Sequence, residues 1–355
     1  MRGLLPVSIL ASCLMLAGSA AAQISLTPPG VQTPPADSKP VKLKPIKPEP
    51  SKPEPKPTVA KKPAAAAEPA AAPAPTDPNA DLVYGAYQRG EYKTSFDLAL
   101  KRAQDNNDPK AMTMLGELYS NALGIKRDYA KAAEWYKRAA DAGDREAMFA
   151  LAMLKLAGRG AAADREQGAK WLASAAKLGN PKAAYNLALL YLDGQIFPRD
   201  IKRAVELLGR AADAGNPEAQ YALATFYKEG NGVEKDPEKS VRLLQAASLA
   251  DNLDAEVEYA IALFNGTGTP KDEAAAVALL RKAAKQNSPI AQNRLAGVLI
   301  FRAGTPADKI EGFKWHLVAK TAGKGDVMLE QALEQASPEI RAKAEEAARK
   351  WFGTK

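Results

Sequence analysis

The sequence predicts an all-α protein, a right-handed α-solenoid of stacked helix–turn–helix repeats preceded by a disordered proline-rich segment. Two stretches carry this prediction: "AKLGNPKAAYNLALLYLDG" at 176–194 and "ADAGNPEAQYALATFYKEG" at 212–230. They lie thirty-six residues apart and share nearly the same order of apolar, small and turn residues. A fixed period of this length is typical of helical arrays, in which no unit buries its apolar face alone.

The chain begins with the layout of a secretory signal peptide. Residues 1–22 combine an early Arg2, an apolar run and a stretch of small residues, which predicts cleavage before Gln23. Two alternatives stay open. One is an uncleaved membrane anchor, although the run is barely long enough to span a bilayer. The other is a lipid anchor, because residues 10–13 resemble the lipobox of bacterial lipoproteins, in which Cys13 would be lipidated.

Residues 23–79 form a linker rich in proline, lysine and alanine, for which we predict disorder. Sixteen of the chain's 26 prolines fall between residues 24 and 79. Proline fixes φ and lacks the backbone N–H, so neither a helix nor a sheet can propagate there. In composition alone the linker resembles the periplasm-crossing segment of TonB-like proteins. Three roles stay open for it: a spacer between two fixed ends, which favours a lipidated Cys13, a free arm that contacts a partner such as peptidoglycan, and a disordered leader with no specific role.

Charge and cysteine content exclude several classes of function. The net charge is +8, but residues 1–80 contain nine Lys/Arg against five acidic residues and so carry half of the excess. The remainder is nearly balanced and has no basic block of the kind that follows phosphates, so we expect no nucleic-acid partner. Cys13 is the only cysteine, so a cleaved chain has neither a disulfide framework nor a cysteine-ligated metal site. We also expect no transmembrane span in the mature chain.

Six units of thirty-six residues fill positions 111–326 without insertions. Each unit opens with an alanine, and a large residue followed by a small one comes four positions later. These residues share one helix face, with a notch where another helix can approach closely. The opening alanines are Ala111, Ala147, Ala183, Ala219, Ala255 and Ala291, and the small residues are Gly116, Ala152, Ala188, Ala224, Ala260 and Ala296.

The second half of each unit follows a glycine-containing turn and is also helical. An aspartate recurs before it, at Asp128, Asp164, Asp200, Asp236, Asp272 and Asp308. We interpret these carboxylates as helix N-caps, each worth about 1 kcal/mol, rather than as a metal or acid–base site. The second helix ends at residue types that tolerate the left-handed conformation: Gly143, Gly179, Gly215, Asp251, Asn287 and Gly323.

These units resemble the Sel1-like repeat, a relative of the tetratricopeptide repeat. The first unit matches the family pattern at Ala111, Leu115, Gly116, Leu118, Tyr119, Gly124, Asp128, Lys131, Ala132, Trp135, Tyr136, Ala139 and Gly143. The resemblance covers 111–326, and it is to periplasmic members of alphaproteobacterial type. Residues 80–110 resemble a short tetratricopeptide-like unit. For 327–355 we predict capping helices, with Ser337 as N-cap and Pro338 at the first helical position of the last one.

The chain offers few groups for catalysis. His316 is the only histidine, and it occupies a position that holds tyrosine or leucine in the other units, so we interpret it as a packing residue. The serines lie outside any nucleophile-elbow pattern, and no glycine pair opens a helix after a strand. Two carboxylates acting across a cleft would need a domain outside the array. We therefore predict no enzyme and no cofactor.

The resemblance implies that the first helices line a concave surface, where related proteins hold partner segments. The candidate partner-binding residues are Phe149, Tyr185, Asn186, Tyr221, Asn293 and Arg294, and half-buried packing is the alternative for the aromatic ones. We expect a monomeric, non-catalytic periplasmic scaffold that binds another envelope protein and contributes to cell-envelope integrity. The alternatives are a regulator bound to the sensor domain of a membrane histidine kinase, as in rhizobial exopolysaccharide repressors of this repeat class, and a peptidoglycan-associated factor.

Overall fold

The computed structural model describes residues 81–302 and 305–353, and within them it contains sixteen α-helices and no strand. In chain order they are α1 (Leu82–Gln88), α2 (Tyr92–Asn106), α3 (Pro109–Asn121), α4 (Tyr129–Asp141), α5 (Arg145–Ala157), α6 (Arg165–Lys177), α7 (Pro181–Asp193), α8 (Ile201–Asp213), α9 (Pro217–Glu229), α10 (Pro237–Leu249), α11 (Leu253–Asn265), α12 (Glu273–Lys285), α13 (Pro289–Phe301), α14 (Pro306–Thr321), α15 (Val327–Gln335) and α16 (Pro338–Gly353). The predicted signal peptide, Cys13 and the proline-rich linker lie outside the described residues.

The helices pack in sequence order, each against the next one along the chain from α1 to α14. Each repeat contributes a first helix (α3, α5, α7, α9, α11 and α13) and a second helix (α4, α6, α8, α10, α12 and α14). Because neighbouring pairs stack on one another in series, the molecule is an α-solenoid. The predicted fold class is confirmed.

Five of the six predicted aspartate caps are confirmed. Asp128, Asp164, Asp200, Asp236 and Asp272 each accept a hydrogen bond from the backbone N–H three residues later, at 2.8–3.0 Å. The prediction for Asp308 is wrong, because α14 begins earlier, at Pro306. There Thr305 is the N-cap: its hydroxyl accepts the Asp308 N–H at 3.1 Å and also bonds to the Asp308 carboxylate. Proline suits the first helical position, so Thr305-Pro306 supplies a start signal before Asp308.

The second helices end as predicted, in residues with left-handed backbone conformation. The residues Gly143, Gly179, Gly215, Asp251, Asn287 and Gly323 all have positive φ, between 59° and 91°. After the first five of these residues the chain turns at once into the next first helix. The N-cap of the first helix is an Asp, Asn or Ser in all six repeats. These short turns keep the two helices of neighbouring repeats in contact, which fixes the period.

Buried alanines recur at fixed positions on both helices of every repeat. The six opening alanines are all buried, as are Ala139, Ala175, Ala211, Ala247, Ala283 and Ala319 on the second helices. A small side chain at these positions lets two backbones approach while leucines fill the space on either side. Buried apolar residues therefore occur in every repeat rather than collecting at one centre.

Two helices follow the last repeat. Ser337 Oγ accepts the N–H of Ile340 at 3.4 Å, so α16 begins at the predicted cap. This helix packs on α14. Trp351 lies edge-on to the buried Trp315, with ring centroids 5.0 Å apart, and the Lys314 ammonium lies over both rings. The closing helix thus covers the apolar side that the last repeat would otherwise expose.

Candidate functional site

The candidate site is an extended surface. We call it the inner face: the exposed side of the first helices α3, α5, α7, α9, α11 and α13, which the family resemblance predicts to be concave. Each first helix is thirteen residues long, and the six follow one another at the same interval along the chain. A segment of another protein laid across them would meet equivalent positions in successive repeats.

The aromatic candidates are half-buried at the third position of their repeats. Phe149 and Tyr185 pack against the large core cluster that extends from α1 to α9, and Tyr221 packs against a smaller cluster beside it. Each presents part of its ring to the outside and buries the rest. Asn186 is also half-buried, and its side-chain amide donates to the Lys182 carbonyl of its own helix at 2.8 Å. The structure spaces these four residues along the inner face without bringing them into one site.

Asn293 and Arg294, in contrast, line one groove. It has a volume of about 430 Å³ and lies where α11, α13 and α15 meet, at the C-terminal end of the inner face. Its apolar lining comes from these three helices and from Leu280 of α12: Ile261, Phe264, Val298, Phe301, Met328 and Leu329 complete it. Two of these are unusually open for large apolar side chains, Phe301 at 55% and Met328 at 67% exposure.

The polar edge of this groove is positively charged. Arg294 is exposed and Arg302 lies over the ring of Phe264, 5.7 Å from its centroid. Neither arginine forms an ion pair within the described part of the chain. The one carboxylate in the lining, Asp326, is engaged as the N-cap of α15 and accepts the N–H groups of Met328 and Leu329 at 2.9 and 3.1 Å. Asn293 donates to the Lys324 carbonyl at 3.2 Å, which ties α13 to the segment before α15.

The N-terminal end of the inner face has a different chemistry. Tyr87 of α1 donates its hydroxyl to Glu117 of α3 at 3.0 Å. Burial, together with this hydrogen bond to a carboxylate, raises the pKa of Tyr87 to about 12. The hydroxyl therefore stays protonated at neutral pH, and the contact fixes the short unit α1–α2 against the first repeat.

The single histidine is a packing residue, as predicted. His316 is fully buried on α14, and its Nε2 lies 3.0 Å from the Glu330 carboxylate of α15. Glu330 also accepts from Lys320 at 2.8 Å, and these two partners, Lys320 first, hold the pKa of its carboxyl below the usual value. The three side chains link α14 to α15, so their observed role is to position the helix that borders the groove.

Within residues 81–302 and 305–353 there is no group of three or more His, Cys, Asp or Glu side chains placed to hold a metal ion. Over the same residues, no helix combines the length and the hydrophobicity that a membrane-spanning helix needs.

Sequence reasoning missed the apolar half of the groove. The sequence does distinguish Phe301, because the equivalent positions of the other repeats hold small or polar residues, namely Asn121, Ala157, Asp193, Glu229 and Asn265. It also distinguishes Gly297, a glycine in the middle of a first helix. Nothing in the sequence distinguishes Met328, because α15 lies outside the repeat pattern and its packing direction does not follow from the period.

The fold is shared with solved structures of known repeat proteins. One is c5321, a protective antigen of uropathogenic Escherichia coli strains with an SLR fold: it is 25% identical over 77% of this chain, with a TM-score of 0.65. The match spans 59% of the c5321 chain, so much of that protein has no counterpart here. Another is a Sel1 repeat protein of Oxalobacter formigenes, 27% identical over 68% of this chain and 98% of its own length, with a TM-score of 0.59. The comparison with curated proteins gives no significant match.

The repeats themselves match a family model. The Sel1 repeat model matches six consecutive segments, at 109–144, 145–180, 181–216, 217–252, 253–288 and 289–324. Each matched segment begins at the first residue of a first helix and ends before the next. The matched segments make up more than half of the sequence and follow the helix pairs of the solenoid. The chain therefore belongs to the Sel1 repeat family.

Proposed function

We propose that this protein is a non-catalytic periplasmic scaffold that holds another envelope protein on its inner face and so contributes to cell-envelope integrity. Sel1 repeat proteins generally mediate protein–protein interactions, and their fold is typically a non-catalytic scaffold. Export to the periplasm is supported by the leader at residues 1–22, and the envelope role by the resemblance to periplasmic members of this repeat class.

The observation that carries the proposal is the continuity of the inner face. Six first helices present equivalent positions at a constant interval, and half-buried rings at Phe149, Tyr185 and Tyr221 recur along three neighbouring repeats. Aromatic side chains offer large contact areas at a low entropic cost, which is why they are enriched in protein interfaces. An extended partner segment can therefore gain contacts step by step along the array.

The test is crosslinking inside cells that make the protein. A photo-crosslinking amino acid at position 221 should capture one envelope protein, whereas the same group at position 206, exposed on the second helix α8, should not. Deletion of the gene should sensitise cells to detergent and to antibiotics that act on the cell wall. Equal capture from both positions, or a chain retained in the cytoplasm, would refute the scaffold role.

Further measurements distinguish the scaffold from the two alternatives, the histidine-kinase regulator and the peptidoglycan-associated factor. Altered polysaccharide output with an intact permeability barrier would indicate the histidine-kinase regulator instead. Sedimentation with purified sacculi that depends on residues 24–79 would indicate the peptidoglycan-associated factor. A change of Cys13→Ser that releases the protein from membranes would show that the chain is a lipoprotein rather than a freely exported protein.

A further inference from the structure

The groove at the C-terminal end of the inner face differs from the rest of that surface at one position, which carries no side chain. At the seventh position of each repeat the inner face carries Glu117, Met153, Leu189, Thr225 and Ile261 in turn, but Gly297 in the last. A Cβ placed on Gly297 would meet no atom within 4 Å. Packing inside the protein therefore does not require a glycine here, and its effect is to leave a cleft between α11, α13 and α15.

Large apolar side chains beside this cleft are exposed to solvent. Phe301 and Met328 stand on opposite helices, α13 and α15, and each is more than half exposed. Val327, the neighbour of Met328, is 74% exposed. Contiguous apolar surface of this kind, rimmed by polar groups, marks a binding site on a soluble protein.

The charge beside the cleft defines the chemistry of what fills it. Arg294 and Arg302 form no ion pair within the described residues, and one oxygen of the Asp326 carboxylate accepts two backbone N–H groups. The nearby Glu273 is ion-paired with Lys271, and Arg302 also contributes to the lowered pKa of its carboxyl, so the positive side chains here outnumber the two carboxylates by one. The edge of the cleft is therefore positive, and an arginine without a partner at an interface forms charge-assisted hydrogen bonds to a carboxylate.

We propose that this groove binds a short extended segment of another protein, in which a large apolar side chain enters the cleft above Gly297 and an adjacent Asp or Glu pairs with Arg294. The lysine-rich arm of this chain carries the wrong charge for the edge, with eight lysines against five acidic residues in 23–79. The inference rests on the proposed function for the statement that a protein partner exists. The inference adds where on the inner face the partner binds and which of the partner's side chains the groove recognises.

The test uses the purified full-length mature chain and a display library of short random peptides. Selected peptides should carry an acidic residue next to a large apolar one. Gly297→Leu fills the cleft, and because leucine is the better helix former it should not lower stability. It should weaken binding of the synthetic peptides by about tenfold or more, and Arg294→Gln should weaken it similarly while reducing its salt dependence.

A matched control distinguishes the groove from a general effect on the helices. Gly209 lies within the second helix α8, and a Cβ there also meets nothing within 4 Å. Gly209→Leu should therefore leave peptide binding unchanged. Equal loss in both leucine variants, or peptides that bind Gly297→Leu as tightly as the wild type, would refute the site. Selected peptides without an acidic residue would refute the assigned chemistry.

Two further measurements test other occupants. Affinity for the peptides that rises when residues 23–79 are removed would mean that the arm of this chain fills the groove. Self-association that Gly297→Leu abolishes would mean that a second copy does. Either result would overturn the proposal. Peptide binding by the purified chain is independent of cellular location, so a failed crosslinking experiment with intact peptide binding would refute the envelope role alone.

Discussion

At the scale of single residues, the first repeat shows how one position compensates for another. Its notch residue is Gly116, where the other five repeats have alanine, and its second helix carries Tyr136, where four of them have leucine. A Cβ on Gly116 would lie 2.5 Å from two ring carbons of the buried Tyr136. The larger ring has taken the volume that a methyl group occupies elsewhere, so the two positions must be considered together.

This pairing predicts opposite effects for the same substitution at two helical glycines. Gly116→Ala should lower the free energy of unfolding by about 1–3 kcal/mol, because overpacking outweighs the better helix propensity of alanine. Gly209→Ala should raise it by about 1 kcal/mol, because nothing obstructs its methyl group. Urea denaturation followed by circular dichroism measures both.

A double-mutant cycle isolates the contact. Gly116→Ala combined with Tyr136→Leu reproduces the pair found in repeats two to five. The second change should therefore cost less stability in the Gly116→Ala background than in the wild type. Additive effects of the two substitutions would contradict the proposed compensation, as would a stabilising Gly116→Ala.

At the scale of elements, α15 depends on fewer contacts than the helices of the repeats. It buries Leu329 and Leu333, its N-cap is Asp326, and Glu330 ties it to Lys320 and His316 of α14. This carboxylate has a depressed pKa in the folded chain. Its stabilising contribution is therefore fully present above the ordinary pKa of glutamate, about 4.3. It is lost as the pH falls through the lower pKa of the folded state.

We therefore expect α15 to loosen in acid before the repeats do. The protection of its backbone amides against hydrogen exchange, corrected for the intrinsic rate, should fall as the pH is lowered below about 5 and through the depressed pKa of Glu330. Glu330→Gln should lower that protection at neutral pH and flatten its dependence over the same range. Glu339→Gln is the control, because its carboxylate pairs only with Lys343 of its own helix α16. Unchanged protection in Glu330→Gln would show that the apolar contacts alone hold α15.

Prediction from sequence succeeded where the period and the local signals agree, or where a local signal stands alone, as at Ser337-Pro338. It failed where the two disagree and where only tertiary packing decides. The aspartate cap recurs in five repeats and the left-handed helix end in all six, so local chemistry and period support each other at Asp128 or Gly143. The last repeat departs from the pattern at Thr305-Pro306, and there local capping moved the start of α14 away from the periodic position. Asn293 and Arg294 could be chosen because they belong to a first helix. Their apolar partner Met328 could not, since only the tertiary structure brings α15 beside them.

At the scale of the whole molecule, the apolar core is divided. One large cluster of buried side chains extends from Val83 to Phe226, and another from Val257 to Ala348. Between them lies a small cluster of Ala224, Leu244, Ala247 and Ala255. Ser240 is buried in the same region, where its hydroxyl donates to the Ala224 carbonyl at 2.7 Å. Since each repeat contacts only its neighbours, a thin core at one junction weakens the coupling between the two parts.

The array should therefore unfold in two steps, and its tryptophans can separate them. Trp135 and Trp171 pack against the first cluster, and Trp315 and Trp351 belong to the second. In a Trp135→Phe/Trp171→Phe chain, fluorescence follows the second part while circular dichroism follows all helices.

Leu187→Ala, in the first cluster, costs about 2–5 kcal/mol of stability. It should shift one step of the dichroism curve in urea and leave the fluorescence midpoint in place. Leu295→Ala, in the second cluster, should shift the fluorescence midpoint. A chain that unfolds as one cooperative unit would instead move both signals together with either substitution, because every repeat would share the loss.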